Sequence, residues 1–354
     1  MAVNPVGVAV VGCGTISHQY LATLANRPEV RVVACADLDP ARAASAAARY
    51  GVPVHGDLDT VLAHDEVELV VNLTVPAAHA PVALAAIAEG KHVYTEKPFA
   101  LTPTEASTVL AAAQAAGVRT GGAPDTFLGA GMQTTCQAVA DGRIGTPLSA
   151  IVLEQGPGPH RWHPDPEFLF QAGGGPLFDM GPYYLTALAA LFGPVTRVAA
   201  LNRTGFPERV IGAGPRTGQR FPVTVPTHVT ALIEYASGPV ATVVFSFDAT
   251  LPRQDFFEIT GTEATLAAPN PNTFTGPVRL RATSDSDWTT IPTPDSPTDG
   301  RGIGICDMAV GIRTNRPHHA NGDLAAHIVD VMTAIHDSAE HGTFRDVTST
   351  FTRM

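Results

Sequence analysis

Only two lysines occur in the chain, Lys91 and Lys97, both inside the stretch Gly90-Lys-His-Val-Tyr-Thr-Glu-Lys-Pro98, while the other basic residues are arginine. Guanidinium stays protonated at any working pH, whereas an ammonium can lose its proton when its surroundings lower its pKa. Lys97, between Glu96 and Pro98, therefore reads as a group that gives and takes a proton. Lys91, beside a glycine at a helix–strand turn, reads as a surface residue. A second constellation lies near the start, Gly12-Cys-Gly14-Thr15-Ile16-Ser17. Gly12 allows a tight turn, and Gly14 lets backbone amides at a helix N-terminus approach an anion. Ser17 stands where a third glycine is usual, and it is small enough to keep a helix close to a strand.

The elements around these residues follow from the apolar pattern. Residues 6–11 suit a strand buried on both faces, the Gly loop comes next, and a helix follows around Tyr20, Leu21 and Leu24. The run Val30–Ala36 ends at Asp37, 23 residues beyond Gly14. Strand, Gly loop, helix and acid-ended strand in that order are the pattern of a dinucleotide-binding fold. The alternation continues through helix 40–50, strand 68–73, helix 77–89, strand 92–95, helix 103–116 and strand 117–121, which predicts a doubly wound parallel sheet. Asp37 should accept from the ribose hydroxyls of the adenosine. Its charge repels a 2′-phosphate and no arginine follows directly, so NAD is expected in preference to NADP. Asp39 competes for no ligand; it reads as the cap of a helix starting at Pro40.

Thr74-Val-Pro76-Ala-Ala-His79, Gly90–Pro98, Asp141-Gly-Arg-Ile-Gly145 and Gly173-Gly-Gly-Pro-Leu-Phe-Asp179-Met-Gly-Pro-Tyr183 together resemble the Gfo/Idh/MocA oxidoreductases. The resemblance spans most of the chain. It implies that Gly12, Gly14, Thr15, Ile16, Asp37, Thr74, Pro76 and His79 form the cofactor side. Glu96 would lie near the nicotinamide ribose, and Lys97 would contact both the nicotinamide region and the substrate hydroxyl. Asp179 would hold the substrate. Many family members place a histidine four residues further on as the proton-transfer group. Tyr183 stands there in this chain, as in the glucose–fructose oxidoreductase and dihydrodiol dehydrogenase branches, with Tyr184 its neighbour and rival.

Composition sets limits. The 354 residues suggest two domains, taken as 1–123 for the nucleotide and 124–354 for substrate binding and oligomerisation. A net charge of −11 argues against nucleic acid and anionic membranes as partners. No apolar run reaches the roughly 18 residues of a membrane span, and the first apolar run lacks a positive flank and reads as a strand rather than a signal peptide. Cys13, Cys35, Cys136 and Cys306 have no metal-ligand spacing and suit reduced thiols in a cytoplasm.

The second domain reads as α+β. The stretch 223–247 is patterned as a hairpin, with further β-rich stretches at 147–154, 196–203, 256–267 and 277–283 and helices at 180–192 and 323–340. That predicts a mainly antiparallel open sheet whose surplus apolar face suits a homodimer or homotetramer. Segments 205–224 and 284–303 read as loops. His160, Trp162 and His163 lack a further ligand for zinc, so no metal is expected. Trp162 and His163 read instead as an aromatic and imidazole wall for a polyhydroxylated ring. His318 and His319 read as structural.

These parts predict oxidation of a secondary alcohol of a sugar, cyclitol or related polyol to a ketone or lactone, or the reverse. Lys97 or Tyr183 would take the hydroxyl proton and Asp179 would fix geometry. Two other readings remain open: an NAD-dependent glycosidase working by transient oxidation and elimination, and a non-catalytic NAD-binding regulator.

Overall fold

The computed structural model describes residues 4–295 and 300–354. The chain divides into two compact units, one of Met1–Gly129 with Ser296–Val329 and Met354, the other of Ala130–Asp295 with Asp330–Arg353.

The first unit contains β1 (Val6–Val11), α1 (Ser17–Leu24), β2 (Val30–Ala36), α2 (Pro40–Tyr50), β3 (Val54–Gly56), α3 (Leu58–Leu62), β4 (Leu69–Asn72), α4 (Pro76–Ala88), β5 (His92–Thr95), α5 (Pro103–Ala116) and β6 (Thr120–Gly122). The six strands pair in parallel in the order β3-β2-β1-β4-β5-β6. Every residue of β1 and β4 is buried, as strands covered on both faces require. Asp39 caps α2, accepting from Ala41 N at 2.9 Å with Pro40 in the first turn. The last strand starts at Thr120 rather than 117, because Gly117 closes α5 in the left-handed conformation and Val118 N turns back onto Ala113 O. The core gathers Val33, Val70, Ile87, Val93 and Val109, and the later segment adds Ala325, Ala326 and Val329.

The second unit starts with α6 (Ala130–Ala140), β7 (Pro147–Gln155) and α7 (Gly175–Phe192). Then come β8 (Val195–Arg203), β9 (Glu208–Val210), β10 (Arg220–Pro222), β11 (His228–Tyr235), β12 (Val240–Ser246), β13 (Arg253–Gly261), β14 (Ala264–Ala267), β15 (Val278–Ala282) and β16 (Thr289–Ile291). The chain continues with α8 (Ile303–Thr314), which belongs to the first unit, α9 (Gly322–His341), in which the division falls, and β17 (Arg345–Asp346). Nine strands form a sheet in the order β16-β15-β14-β13-β7-β12-β11-β8-β17. All its pairs are antiparallel except β12 with β7.

The expected hairpin is β11–β12, with Gly238 at φ +108° in its turn. The β-rich stretch expected over 256–267 is a hairpin of β13 and β14, since Thr262 and Glu263 turn between them. The segment 205–224 is not all loop: β9 and β10 pair within it. In 284–303 the structure places β16 and the first residue of α8, and residues 296–299 of that segment lie outside the described residues. The helix expected over 180–192 begins five residues earlier, where Gly175-Pro176 supplies a proline in the first turn.

Candidate functional site

In the first unit the chemistry-bearing residues stand at the C-terminal ends of adjacent parallel strands. The sequence order reverses beside β1, between β2 and β4, and such a switch point is where open α/β sheets bind ligands. Gly12, just past β1, has φ +96°, and a Cβ there would lie 2.6 Å from the Leu73 carbonyl, so only glycine lets this turn pass the loop after β4. Around Gly14 the space a Cβ would take is open. The first turn of α1 has no side-chain cap, and the Ser17 hydroxyl donates to Gly14 O at 2.7 Å, pinning the loop to the helix. A helix N-terminus without a side-chain cap, beside an open glycine, suits an anion such as a pyrophosphate.

Because Val11 and Ala36 are register partners, Asp37 lies next to the loop. Its carboxylate accepts from Cys13 N at 2.7 Å and from Asp39 N at 2.8 Å, which fixes its orientation. Leu38 beside it is fully exposed. Past β4, buried Asn72 holds the next turn: its Oδ1 accepts from the Thr74 hydroxyl at 2.7 Å, and its Nδ2 donates to His79 O at 2.9 Å. His79 is buried, with Nδ1 2.6 Å from Pro98 O and Nε2 3.0 Å from Thr74 O. It thereby ties the Thr74 turn to the Lys97-Pro98 peptide, which is cis.

Past β5, buried Glu96 accepts from the Tyr20 hydroxyl at 2.9 Å and from Lys97 N at 2.5 Å. Burial and the Glu96 carboxylate push the Tyr20 phenol well above its ordinary value, so it remains a donor. Lys91, as expected, lies at a turn, directed toward His64 O at 3.5 Å.

In the second unit the glycine triplet makes a sharp entry into α7. A Cβ on Gly174 would lie 2.5 Å from Phe168 O, and Gly175 has φ +86°. Asp179 and Tyr183 are one turn apart on α7 and so share a face of it. Tyr183 is buried. Tyr184 is fully buried, and its hydroxyl donates to Gln254 O at 2.7 Å, the marks of a packing residue.

Trp162 and His163 form an exposed aromatic step, with ring centroids 5.6 Å apart, and Phe168 extends it at 5.5 Å from His163. Trp162 is 68% and Phe168 59% exposed. His160 turns the other way, into a small core with Phe170, and burial with nearby Arg209 lowers it to about 4. His318 is buried against Thr120 O at 3.0 Å and His319 bonds Asp307, the structural roles expected of them.

Sequence reading missed Glu154 and Phe168. Glu154 on β7 is 3% exposed, and burial followed by the nearby Asp179 charge pushes its acid up to about 7. Among the described residues no group of three His, Cys, Asp or Glu side chains could hold a metal, and no helix is long and apolar enough to cross a membrane.

Comparison with known proteins bears on both units. Residues 6–121 match the family model described as an oxidoreductase family with an NAD-binding Rossmann fold. Residues 132–267 match the model described as the GFO/IDH/MocA C-terminal domain. A D-xylose 1-dehydrogenase (NADP(+)) of Haloferax volcanii is 26% identical over 344 residues, 94% of this chain and 97% of that protein. A dTDP-3,4-didehydro-2,6-dideoxy-alpha-D-glucose 3-reductase of Streptomyces antibioticus is 31% identical over 245 residues, 68% of each chain. The crystal structure of a levoglucosan dehydrogenase with NADH and levoglucosan shares the fold, with a TM-score of 0.83 at 23% identity over 98% of this chain and all of that one.

Proposed function

Because this chain belongs to the Gfo/Idh/MocA family of NAD(P)-dependent oxidoreductases, we propose that it interconverts a secondary alcohol and a ketone or lactone on a sugar, cyclitol or related polyol. The observation that carries this reading is the Tyr20–Glu96–Lys97 arrangement past β5, where a lysine-poor chain fixes one of its two lysines by its own backbone amide. On the nucleotide side, the Gly12–Ile16 loop and the α1 amides would hold a pyrophosphate. Asp37 would hold a ribose, and the Thr74-Val75-Pro76 turn, braced by His79, would border the nicotinamide end. Bound NAD(P) supplies the hydride acceptor for the carbinol carbon.

The protein's own task is one proton. The substrate hydroxyl must lose it as hydride leaves the same carbon, and it goes to Lys97 or to Tyr183. Both start near 10, so the acceptor works near neutrality only if its surroundings lower it. Asp179 would orient the hydroxyls, and Trp162 with His163 would face the apolar side of the ring.

NAD is the expected cofactor rather than NADP. Asp37 is anionic and held rigid, Leu38 brings no charge, and Arg42 is engaged by Asp39 at 3.6 Å. Residues 1–123 would serve the nucleotide and 124–354 the substrate, in a cytoplasmic homodimer or homotetramer. The transient-oxidation glycosidase differs in needing no added cofactor for turnover, and the non-catalytic regulator has no use for Lys97, Asp179 and Tyr183. The test is a panel of aldoses, anhydrosugars and inositols incubated with NAD⁺ or NADP⁺. Reduced cofactor formed with at least one of them supports the reading. Glycoside hydrolysis without added cofactor, or binding without turnover across the panel, would replace it.

A further inference from the structure

Glu154 is a carboxyl group without an obvious reason to be buried. It shares the inward face of β7 with Ala150 and Val152. Among the described residues its Oε1 has a single long contact, the Gln254 amide at 3.4 Å, and its Oε2 is buried with no hydrogen-bond partner. Gln254 reaches it through an irregularity in β13. Arg253 pairs with Gln155 and Phe256 with Leu153, so β13 spends one residue more than β7 over the same interval. Such bulges re-aim side chains and are common beside active sites. The bulge is braced from α7, since the Tyr184 hydroxyl donates to the Gln254 carbonyl.

A second negative charge acts on this carboxyl from α7, that of Asp179. The other titratable or charged groups on the packed elements are the Tyr183 and Tyr184 phenols on α7 and, on β13, Asp255, which acts on Tyr184, Glu258, across from Ile151, and exposed Arg253, across from Gln155. A buried carboxylate with one weak donor and an anionic neighbour is a costly arrangement, and a proton relieves it.

We propose that Glu154 is a positioning residue that holds a proton beside Asp179, so that the two carboxyl groups carry one negative charge between them. Asp179, the less buried of the two, is what the substrate side offers to a polyol hydroxyl. Once Glu154 ionises, two like charges repel each other and the productive arrangement is lost. The proposal rests on the reading of Asp179 as a substrate-holding residue, and it adds a pH limit to that reading. Burial and Asp179 together set that limit near neutrality.

Two measurements test it. The first is the melting temperature of the ligand-free protein between pH 4.5 and 9. An acid raised in the native state binds protons that the unfolded chain has released, so its stabilisation is complete below the unfolded value and is lost as pH rises through about 7. Wild type should therefore lose melting temperature relative to Glu154→Gln across this interval and run parallel above it. In an Asp179→Asn background the falling segment should move to lower pH. Parallel curves for wild type and Glu154→Gln throughout, or a segment that Asp179→Asn does not move, would overturn the proposal.

The second measurement is kcat/KM against pH with a polyol the enzyme oxidises. Relative to Glu154→Gln, which fixes the neutral state, wild type should lose about tenfold within one pH unit above the Glu154 titration. Glu154→Leu should be impaired at every pH. An unchanged wild-type-to-Glu154→Gln ratio across pH would overturn the positioning role. If no polyol is oxidised, the functional reading fails, and the melting curves still decide whether the proton is there.

Discussion

The Tyr20 hydroxyl donates to Glu96 Oε1 at 2.9 Å across 76 positions of sequence, and the other oxygen of the same carboxylate accepts the backbone amide of Lys97. A helix that begins at the Gly loop is thus linked to the peptide carrying the proposed proton-transfer lysine. The proposed anion-binding end and the proposed reacting end of this unit are joined by one contact rather than held by two independent loops.

Tyr20→Phe removes that link without changing the ring's volume. It leaves a buried carboxylate oxygen short of a donor, and the expected cost is about 1–3 kcal/mol of stability. Denaturant unfolding measures it. A midpoint unchanged from wild type would mean that Glu96 is held by other donors.

Cofactor preference is expected to follow Asp37. Asp37→Ser with Leu38→Arg removes the anion and adds a cation where a 2′-phosphate would sit, and should move preference toward NADP(H). Comparing NADH and NADPH affinities at equal salt checks this. Wild-type protein that binds NADPH more tightly than NADH would take the assignment away from Asp37.

Asp125 gives a pH dependence separate from that of Glu154. It is fully buried, and its Oδ2 accepts from Gly302 N at 2.8 Å and Gly304 N at 3.0 Å, capping the start of α8. Burial pushes it up to about 6. Its stabilisation is therefore complete below its unfolded value and fades as pH rises through 6. Asp125→Asn keeps an oxygen for both amides and should flatten melting temperature against pH over that interval. The same slope in wild type and variant would contradict the assignment.

The open face of the nine-stranded sheet bears on assembly. Leu232 lies across from Ala199 and Thr242, Thr242 lies across from Ile151, and Leu201 sits beside Thr230, so all share one face. Leu201 is 72%, Leu232 53% and Ile151 47% exposed. Apolar side chains in such a row suit a self-complementary interface. Light scattering of wild type should give a dimer or tetramer, and Leu232→Glu should lower its mass. A monomeric wild type at micromolar concentration would end this expectation.

The fold of the first unit was legible in the sequence, and its candidate site residues sit just past strands that all run the same way. Gly12, Gly14, Asp37, Thr74 and Lys97 each come after a parallel strand, and parallel strands bring their C-terminal loops to one edge of the sheet. The second unit was less legible. In β7 the large apolar residues Leu148, Ile151 and Leu153 are not fully buried, while Ala150, Val152 and Glu154 are, so residue size gave no sign of which face turns inward. Glu154 then looks like an ordinary surface acid. Tyr20 was visible only as part of the apolar stripe of α1, because its partner lies 76 residues away. The helices α6 and α8 were not expected at all.

The most direct test of the account is Lys97→Arg, assayed with the polyol that wild type oxidises fastest. Arginine keeps the charge and roughly the reach, but its guanidinium stays protonated and so cannot accept the substrate's proton. The account predicts a fall in kcat of about 10²–10⁴-fold, the usual contribution of a positioned proton-transfer group, with NAD affinity changed far less. If Lys97→Arg keeps near-normal kcat while Tyr183→Phe loses it, the proton belongs to Tyr183 and the central role given to Lys97 is wrong.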